Sequence, residues 1–220
     1  MCGFVALFEY EKMFPESLLS KIDNDLYHRG PDSSGRYVKK GFALVFRRLA
    51  VLDTREVANQ PIVDSSGKLS VVFNGEIYNY KKIRKDLESK GHKFKSQSDS
   101  EVIIKGYIEW GQNIFKILDG MFAIVIVDQN KGIAIAGRDR MGIKPLYFFR
   151  HKKFIYIGSE IKPLKNIFTL GIDETSLGEI IFFRFPSGEK TGYANIKKIL
   201  PGSYYIINLH NSEVKKFFFF

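Results

Sequence analysis

The chain's only cysteine, Cys2, directly follows the initiator methionine. If Met1 is removed, a thiol and a free α-amine belong to the same residue. The α-amine has an ordinary pKa of about 7.7–8.0, so a good fraction of it is neutral base near neutral pH. A base beside a thiol can generate the thiolate, which is the stronger nucleophile. Cys2 could therefore supply both nucleophile and general base, although position alone favours a small buried side chain in the first strand.

The run Asn74-Gly75-Glu76 follows a predicted strand at residues 69–73 and could bind a developing negative charge. We expect a turn at the end of that strand to expose the Gly75 N–H, with the Asn74 amide as a second donor. Two converging donors can form an oxyanion hole, which is worth roughly 3 kcal/mol per donor to a transition state. The alternative is an ordinary turn, since Asn-Gly is common in turns.

Arg48 and Asp99 are candidates for holding a charged substrate. Arg48 follows a predicted strand, and a guanidinium can bind a carboxylate through two parallel hydrogen bonds; the alternative is a surface arginine. Asp99 precedes a predicted helix, where an aspartate is most often an N-cap, but it could instead pair with a substrate ammonium. Together with Cys2 and Asn74-Gly75, they suggest an amino-acid substrate whose side-chain carbonyl is attacked by the thiol.

The elements that must position these residues are short strands and a few helices. Apolar runs predict strands at residues 2–10, 42–46, 69–73, 121–127, 132–136, 154–157, 203–208 and 214–220. Apolar residues at helical spacing predict helices at residues 15–27, 80–90, 100–110, 163–168 and 175–182. A loop is expected at residues 28–35. Because there is no linker, internal repeat or break in composition, the sequence predicts one domain of the α+β class.

Composition and charge narrow the class of protein further. Aromatic residues make up 15% of the 220 residues. They supply enough apolar side chains for a hydrophobic core, which excludes a mainly disordered chain. The net charge of +10 would suit a nucleic-acid-binding protein, but the basic residues are dispersed in pairs, which favours solvated lysines. One cysteine and four scattered histidines disfavour a zinc site.

The two ends of the chain lead to expectations about the cellular location of the protein and about its full length. No signal peptide or membrane-spanning run is present, so we expect a cytoplasmic protein that does not enter a membrane. The chain ends on four consecutive phenylalanines. An exposed aromatic end would be an aggregation hazard, which favours the interpretation that a longer protein has been cut near residue 220 over a strand end that packs inward.

Several further motifs follow one another along the whole chain. They read MCG at 1–3, HRGPD at 28–32, RLAVLD at 48–53, QP at 60–61, NGEIYN at 74–79, SDSE at 98–101, GRDRMGIKPLY at 137–147 and LPGS at 200–203. In these motifs the sequence resembles the class II, N-terminal nucleophile glutamine amidotransferase domains. The resemblance is specifically to the glutaminase half of glutamine-dependent asparagine synthetases, and it covers essentially the whole chain in order.

The resemblance implies a fold and a set of site residues. The fold would be the four-layer αββα sandwich of the N-terminal nucleophile hydrolases, with residues 1–220 forming one type-2 glutamine amidotransferase domain. The family's nucleophile and α-amine base fall on Cys2, and its oxyanion donors on Asn74 and Gly75. The glutamine-binding positions it implies, including both oxyanion residues, are Arg48, Val51, Leu52, Asn74, Gly75, Glu76 and Asp99. It implies no metal ligand and no catalytic role for residues 138–147.

The resemblance also implies partners. L-Glutamine would be the substrate, and the domain itself would need no cofactor. ATP and magnesium belong to a second, synthetase domain that this sequence does not contain, and which would amidate aspartate with the released ammonia. That domain, or a partner chain, is the expected partner, and a homodimer stays open. The alternatives are the same glutaminase feeding another acceptor, such as a sugar acid of a surface polysaccharide, and a non-catalytic glutamine-sensing or nucleic-acid-binding module.

Overall fold

Twelve antiparallel strands form the centre of the protein in a computed structural model that describes residues 1–220. The strands are β1 (Gly3–Phe8), β2 (Ser33–Lys39), β3 (Phe42–Arg48), β4 (Ile62–Val63), β5 (Leu69–Ile77), β6 (Gly120–Asp128), β7 (Ile133–Arg138), β8 (Tyr147–His151), β9 (Phe154–Gly158), β10 (Ile196–Lys198), β11 (Ser203–Asn208) and β12 (Val214–Phe218). The first sheet has the order β10-β8-β9-β1-β3-β2, and the second has the order β12-β11-β7-β6-β5-β4.

Helices cover the outer faces of the two sheets. The α-helices are α1 (Glu16–Leu26), α2 (Tyr80–Ser89), α3 (Ser100–Trp110), α4 (Ile114–Ile117) and α5 (Glu174–Phe183). Short 3-10 helices span Tyr27–Arg29, Glu56–Ala58, Gly111–Asn113 and Lys162–Asn166. No helix is both long enough and apolar enough to cross a membrane.

The alternation of side chains along each strand builds the layers. In β1, Phe4 and Phe8 enter a core between the two sheets, whereas Val5 and Leu7 pack against α1 on the other face. The second sheet likewise shares one face with the first and buries the other against α2, α3 and α4. Because strand side chains point alternately to opposite faces, an unbroken apolar run such as β1 must be covered on both sides. The order helix, sheet, sheet, helix confirms the predicted α+β, four-layer αββα sandwich.

One local prediction that bears on the site is wrong. The expected turn at Asn74-Gly75 does not exist, because β5 continues to Ile77. Asn74, Gly75 and Glu76 lie opposite residues 121–123 of β6 in an unbroken register. A Cβ at Gly75 would overlap the Met121 carbonyl oxygen, so glycine is present here for close approach of two strands. Cross-strand pairing has overridden the turn preference of the dipeptide.

Other predicted elements differ in type or extent. Residues 33–35, predicted as loop, begin β2, and β4, β8 and β10 were not predicted. The short helical stretch predicted at 163–168 is a 3-10 helix at residues 162–166. The two strands predicted at the end of the chain are confirmed, and they pair with each other as the hairpin of β11 and β12. Of the terminal phenylalanines, Phe219 packs into the core under α4, whereas Phe218 and Phe220 are exposed.

Candidate active site

Cys2 lies at the start of β1, the strand between β3 and β9 in the first sheet. Its Sγ is 3.4 Å from the Leu49 N–H nitrogen and 3.5 Å from the Leu49 carbonyl oxygen. Its own carbonyl accepts a hydrogen bond of 3.0 Å from Arg29 Nε. Burial raises the pKa of the Cys2 thiol, and this outweighs the lowering by the Leu49 N–H and the nearby N-terminus. The thiol is therefore protonated at rest and needs a base to become a nucleophile.

The Gly75 N–H points away from β6, toward an open edge of the second sheet. On either side of it, Phe73 donates its N–H to Gln60 Oε1 at 2.6 Å and Ile77 donates its N–H to Asp99 Oδ2 at 2.8 Å. Backbone groups of an antiparallel strand alternate in direction, so Gly75, between these two residues, faces the same side. Strand β4 pairs only with residues 70–71 of β5 and leaves this edge free. The donor expected at a turn is thus supplied by a sheet edge.

Asn74, the residue before Gly75 in β5, is buried and only 1% exposed. Its Nδ2 is one of four buried side-chain nitrogen or oxygen atoms that have no hydrogen-bond partner. Leaving a buried donor unpaired costs about 1–3 kcal/mol, so such a group is expected to have a use. An unpaired amide donor on the residue next to Gly75 is consistent with the predicted oxyanion role.

Arg48 is buried at the end of β3, and its guanidinium binds the segment that follows it. Nη1 donates to Asn59 Oδ1 at 2.7 Å and to the Arg55 carbonyl at 3.1 Å. Nη2 donates to the carbonyls of Leu52, at 3.3 Å, and Asp53. The arginine therefore lies where a substrate carboxylate was predicted to bind, but its hydrogen bonds here hold residues 49–59, which we call the Arg48 loop.

Asp53 attaches the Arg48 loop to the segment that carries Asp99. Its carboxylate accepts two hydrogen bonds from the Arg55 guanidinium, one from the Arg55 N–H and one of 2.7 Å from the Gln97 N–H. These contacts, with Arg55 contributing most, hold the pKa of the Asp53 carboxyl far below its usual range. The charge of Asp53 is thus permanent at physiological pH. Nothing in the sequence indicated its role beyond its place in the RLAVLD motif.

Asp99 occupies the N-cap position of α3 but makes no capping hydrogen bond with its side chain. The alternative of a plain helix cap is therefore wrong, since the carboxylate accepts from Ile77 of β5 instead. Burial raises the pKa of Asp99 to about 6, although the Ile77 N–H opposes that shift. Asp99 is ionised at neutral pH, and because it is buried a bound cation would be a strongly favoured partner.

These residues surround one cavity of about 40 Å³, which has room for only a few water molecules. Its lining contains every predicted site residue except Asn74, which precedes Gly75 in the chain: Cys2, Arg48, Leu49, Val51, Leu52, Ala58, Gln60, Phe73, Gly75, Glu76, Ser98 and Asp99. Glu76 is half-buried, and burial raises the pKa of its carboxyl. A larger cavity of about 480 Å³ lies between residues 57–65 and α3, but it contains none of the predicted site residues.

Gln60 is a site residue for which sequence reasoning assigned no role. Its side chain donates to the Phe73 carbonyl at 3.1 Å and accepts from the Phe73 N–H, so it mimics a neighbouring strand. This contact fixes the edge of β5 next to Gly75. The only signal in the sequence was that Gln60-Pro61 belongs to a matched motif.

Comparison with known proteins decides the family. The sequence model of the glutamine amidotransferase domain family matches residues 1–218. The chain belongs to this family. Asparagine synthetase [glutamine-hydrolyzing] 1 of Bacillus subtilis is 35% identical over 212 residues, which cover 94% of this domain and 33% of the relative. A probable asparagine synthetase [glutamine-hydrolyzing] of Schizosaccharomyces pombe is 41% identical over 174 residues, covering 76% and 30%. The amidotransferase domain thus spans about a third of the length of these curated relatives.

Solved structures share the fold of this amidotransferase domain. The glutamine phosphoribosylpyrophosphate amidotransferase of B. subtilis superposes with a TM-score of 0.73 at 19% identity, over all of this chain and 49% of that one. A class-II domain protein from Silicibacter pomeroyi superposes with a TM-score of 0.51 at 12% identity, over 99% and 98%. These likenesses support the predicted N-terminal nucleophile fold.

Proposed function

We propose that this amidotransferase domain hydrolyses L-glutamine to glutamate and ammonia through a γ-glutamyl thioester on Cys2. The observation that carries the proposal is the arrangement around the small cavity. Cys2, Gly75, the buried Arg48 and the buried Asp99 line this cavity together, and Asn74, the residue before Gly75, has a buried amide nitrogen without a hydrogen-bond partner. The site would thus offer a nucleophile, two donors for the oxyanion, and partners for the α-ammonium and the α-carboxylate of an amino acid.

Glutamine would be held by its charged groups. Asp99, ionised above pH 6, would bind the α-ammonium, and Arg48 would bind the α-carboxylate, assisted by backbone groups of Val51 and Leu52. Glu76 would line the pocket beside the carboxamide. Because the Arg48 guanidinium binds carbonyls of the Arg48 loop here, we infer that this loop shifts when Arg48 binds the carboxylate of glutamine.

The reaction needs a base, since burial keeps the Cys2 thiol protonated. With Met1 removed, the neutral α-amine of Cys2 takes the thiol proton, directly or through a water molecule, as Sγ bonds to the carboxamide carbon. The oxyanion accepts hydrogen bonds from the Asn74 amide and the Gly75 N–H. The amine then gives its proton to the leaving nitrogen, the C–N bond breaks, and ammonia departs from the thioester. Water, deprotonated by the same amine, attacks the thioester; glutamate leaves and the thiol regains its proton.

We further propose that the ammonia is used to amidate aspartate. The relatives named above are glutamine-hydrolysing asparagine synthetases, and two thirds of their length lies outside the part matched here. ATP and magnesium would be held by that other part, and the steps above involve neither. In this domain no group of three His, Cys, Asp or Glu side chains is placed to hold a metal ion.

The test is ammonia release from glutamine by the purified chain, with intact mass measured on the same sample. Any retained Met1 is first removed with methionine aminopeptidase. We expect activity that is lost in Cys2→Ala and unchanged in Glu56→Gln, an exposed position on the Arg48 loop. Activity that survives in Cys2→Ala, or a folded chain that begins at Cys2 and releases no ammonia, would overturn the proposal.

A further inference from the structure

The two charged groups proposed to hold glutamine are carried by different sheets. Arg48 ends β3 in the first sheet, whereas Asp99 accepts the Ile77 N–H of β5 in the second. Glutamine carries its ammonium and its carboxylate on the same carbon atom. Both charges are therefore bound at once only if the segments that carry Arg48 and Asp99 keep a fixed separation.

Asp53 connects these two segments directly. Its Oδ2 accepts the Gln97 N–H at 2.7 Å, and Gln97 lies two residues before Asp99 in the chain. No other hydrogen bond joins the Arg48 loop to that segment. Arg55 Nε and Nη2 each donate to the same carboxylate at 2.6 Å, and the Asp53 side chain is only 2% exposed. The carboxylate is thus held between a side chain of its own loop and the backbone of the facing segment.

This contact does not involve the Arg48 guanidinium. Arg48 Nη2 donates to the backbone carbonyl of Asp53, whereas the Asp53 carboxylate binds only Arg55 and Gln97. When the guanidinium exchanges loop carbonyls for the carboxylate of glutamine, the hydrogen bond from Gln97 to Asp53 can persist. Asp53 can therefore hold the loop in place while Arg48 changes its partners.

We propose that Asp53 is a positioning residue that makes the site specific for ligands with an ammonium and a carboxylate on one carbon. It holds the Arg48 loop against the segment that carries Asp99, so that Arg48 and Asp99 act on the same ligand. The inference rests on the proposed function, because that function assigns these two residues to the charges of glutamine. Two prearranged partners bind more tightly than partners on segments that move independently, because less conformational freedom is lost on binding.

The experiment compares L-glutamine with glutaramate, which lacks the α-ammonium but keeps the carboxylate and the carboxamide. The kcat/KM for ammonia release is measured with both substrates in the mature wild type, Asp53→Ala and Asp53→Asn. In Asp53→Ala we expect the ratio of the two values to fall about tenfold, as for the loss of one hydrogen bond to a charged group, mainly through a higher KM for glutamine. Asparagine keeps an oxygen for the Gln97 N–H and, like aspartate, tolerates the φ of +46°, so Asp53→Asn should keep most of the ratio.

Two further variants separate positioning from stability. Asp53→Gly removes the carboxylate but adopts the positive φ without strain, so its ratio should match that of Asp53→Ala. Asp64 is a matched aspartate in the turn before β5, where its carboxylate accepts the Lys68 N–H at 3.0 Å and the Leu69 N–H at 2.9 Å. It makes no hydrogen bond to the Arg48 loop. Asp64→Ala should therefore lower the free energy of unfolding and leave the ratio unchanged.

A binding measurement tests the same inference without turnover. The mature wild type and Asp53→Ala are titrated in a calorimeter with L-glutamate and with glutarate, which again differ by the α-ammonium. We expect the preference for L-glutamate to fall about tenfold in Asp53→Ala.

The outcomes distinguish the inference from the proposed function. A folded Asp53→Ala that keeps the wild-type ratios for substrates and for ligands would overturn the role of Asp53 while the glutaminase activity stands. A wild type that does not distinguish L-glutamate from glutarate would contradict the inference as well. A wild type that prefers L-glutamate, loses this preference in Asp53→Ala and releases no ammonia would overturn the glutaminase reaction alone.

Discussion

The two sides of the candidate site are built in different ways. On one side, Cys2 begins a central strand, and Asn74 and Gly75 lie inside β5, paired along its length with β6. On the other side, the Arg48 loop has no strand pairing, and Val51 at its centre is 66% exposed. Hydrogen bonds from Arg48 and contacts of Asp53 hold that loop.

The difference indicates that the two sides of the site have separate functions. Groups that would touch the reacting carbon are fixed by two packed sheets, where displacement would disturb the core. Groups that would touch the two charged ends of glutamine lie on or beside a segment with few buried apolar contacts, which can open at low cost in free energy. Substitutions beside Cys2, Asn74 and Gly75, which we call the chemistry side, should therefore change kcat. Substitutions in or beside the Arg48 loop, which we call the loop side, should change KM.

The largest effect is expected for Gly75→Ala, on the chemistry side. The added Cβ would overlap the Met121 carbonyl oxygen, and the φ of +155° disfavours an L side chain. We expect kcat/KM to fall at least about 10³-fold and the free energy of unfolding in urea to drop by about 2 kcal/mol or more. Gly91→Ala is the control: its φ is also positive, but nothing lies within 4 Å of the new Cβ, so activity should persist.

Asn74→Ala should lower kcat by about 10²–10³-fold and leave KM nearly unchanged. Because the Asn74 Nδ2 has no partner, the free energy of unfolding should change by less than about 1 kcal/mol. In the control Asn79→Ala, the lost amide donates one hydrogen bond to the Ile117 carbonyl and accepts another from the Asp119 N–H. The free energy of unfolding should therefore fall, while kcat should stay unchanged. An unchanged kcat in Asn74→Ala would contradict a role of Asn74 in the oxyanion hole.

Arg48→Lys tests the loop side and should raise KM for glutamine by about tenfold or more, with a smaller change in kcat. Lysine cannot reproduce the planar fork that reaches four acceptors in the Arg48 loop. The loop should also be cut faster in limited proteolysis. Arg47→Lys is the matched control, because Arg47 binds Asp23 at 2.7 Å and not the loop. Equal KM values in the two variants would contradict the assignment.

The smallest effect is a pH dependence of KM. Asp99 must be ionised to bind the ammonium of glutamine, and its pKa is raised to about 6 by burial. Binding is therefore intact above that pH and is lost as the pH falls through it, so KM should rise about fourfold between pH 7.5 and 5.5. Asp99→Asn should bind more weakly and show a flat KM profile over this range. A KM of the wild type that does not vary with pH would exclude Asp99 as the ammonium partner.

Much of the site could be predicted from single residues and short motifs. The sequence made Cys2, Arg48 and Asp99 candidates, because each carries a chemical group that can attack or bind an amino acid, although an ordinary structural role was the alternative for each. It could not indicate Gln60 or Asp53, whose roles consist of hydrogen bonds to Phe73 and to Gln97, far away in the chain. Such contacts exist only once the segments are side by side.

The order and periodicity of the residues were enough to place a thiol next to Met1 and to predict strands and helices of one α+β domain, whereas the four layers were implied only by the family resemblance. How the Gly75 N–H becomes available depends on the tertiary structure. Its donor is free because β4 is two residues long and stops short of it, and because Gln60 and Asp99 bind its neighbours on either side. Local propensity predicted a turn there, since pairing partners distant in sequence do not enter a local pattern.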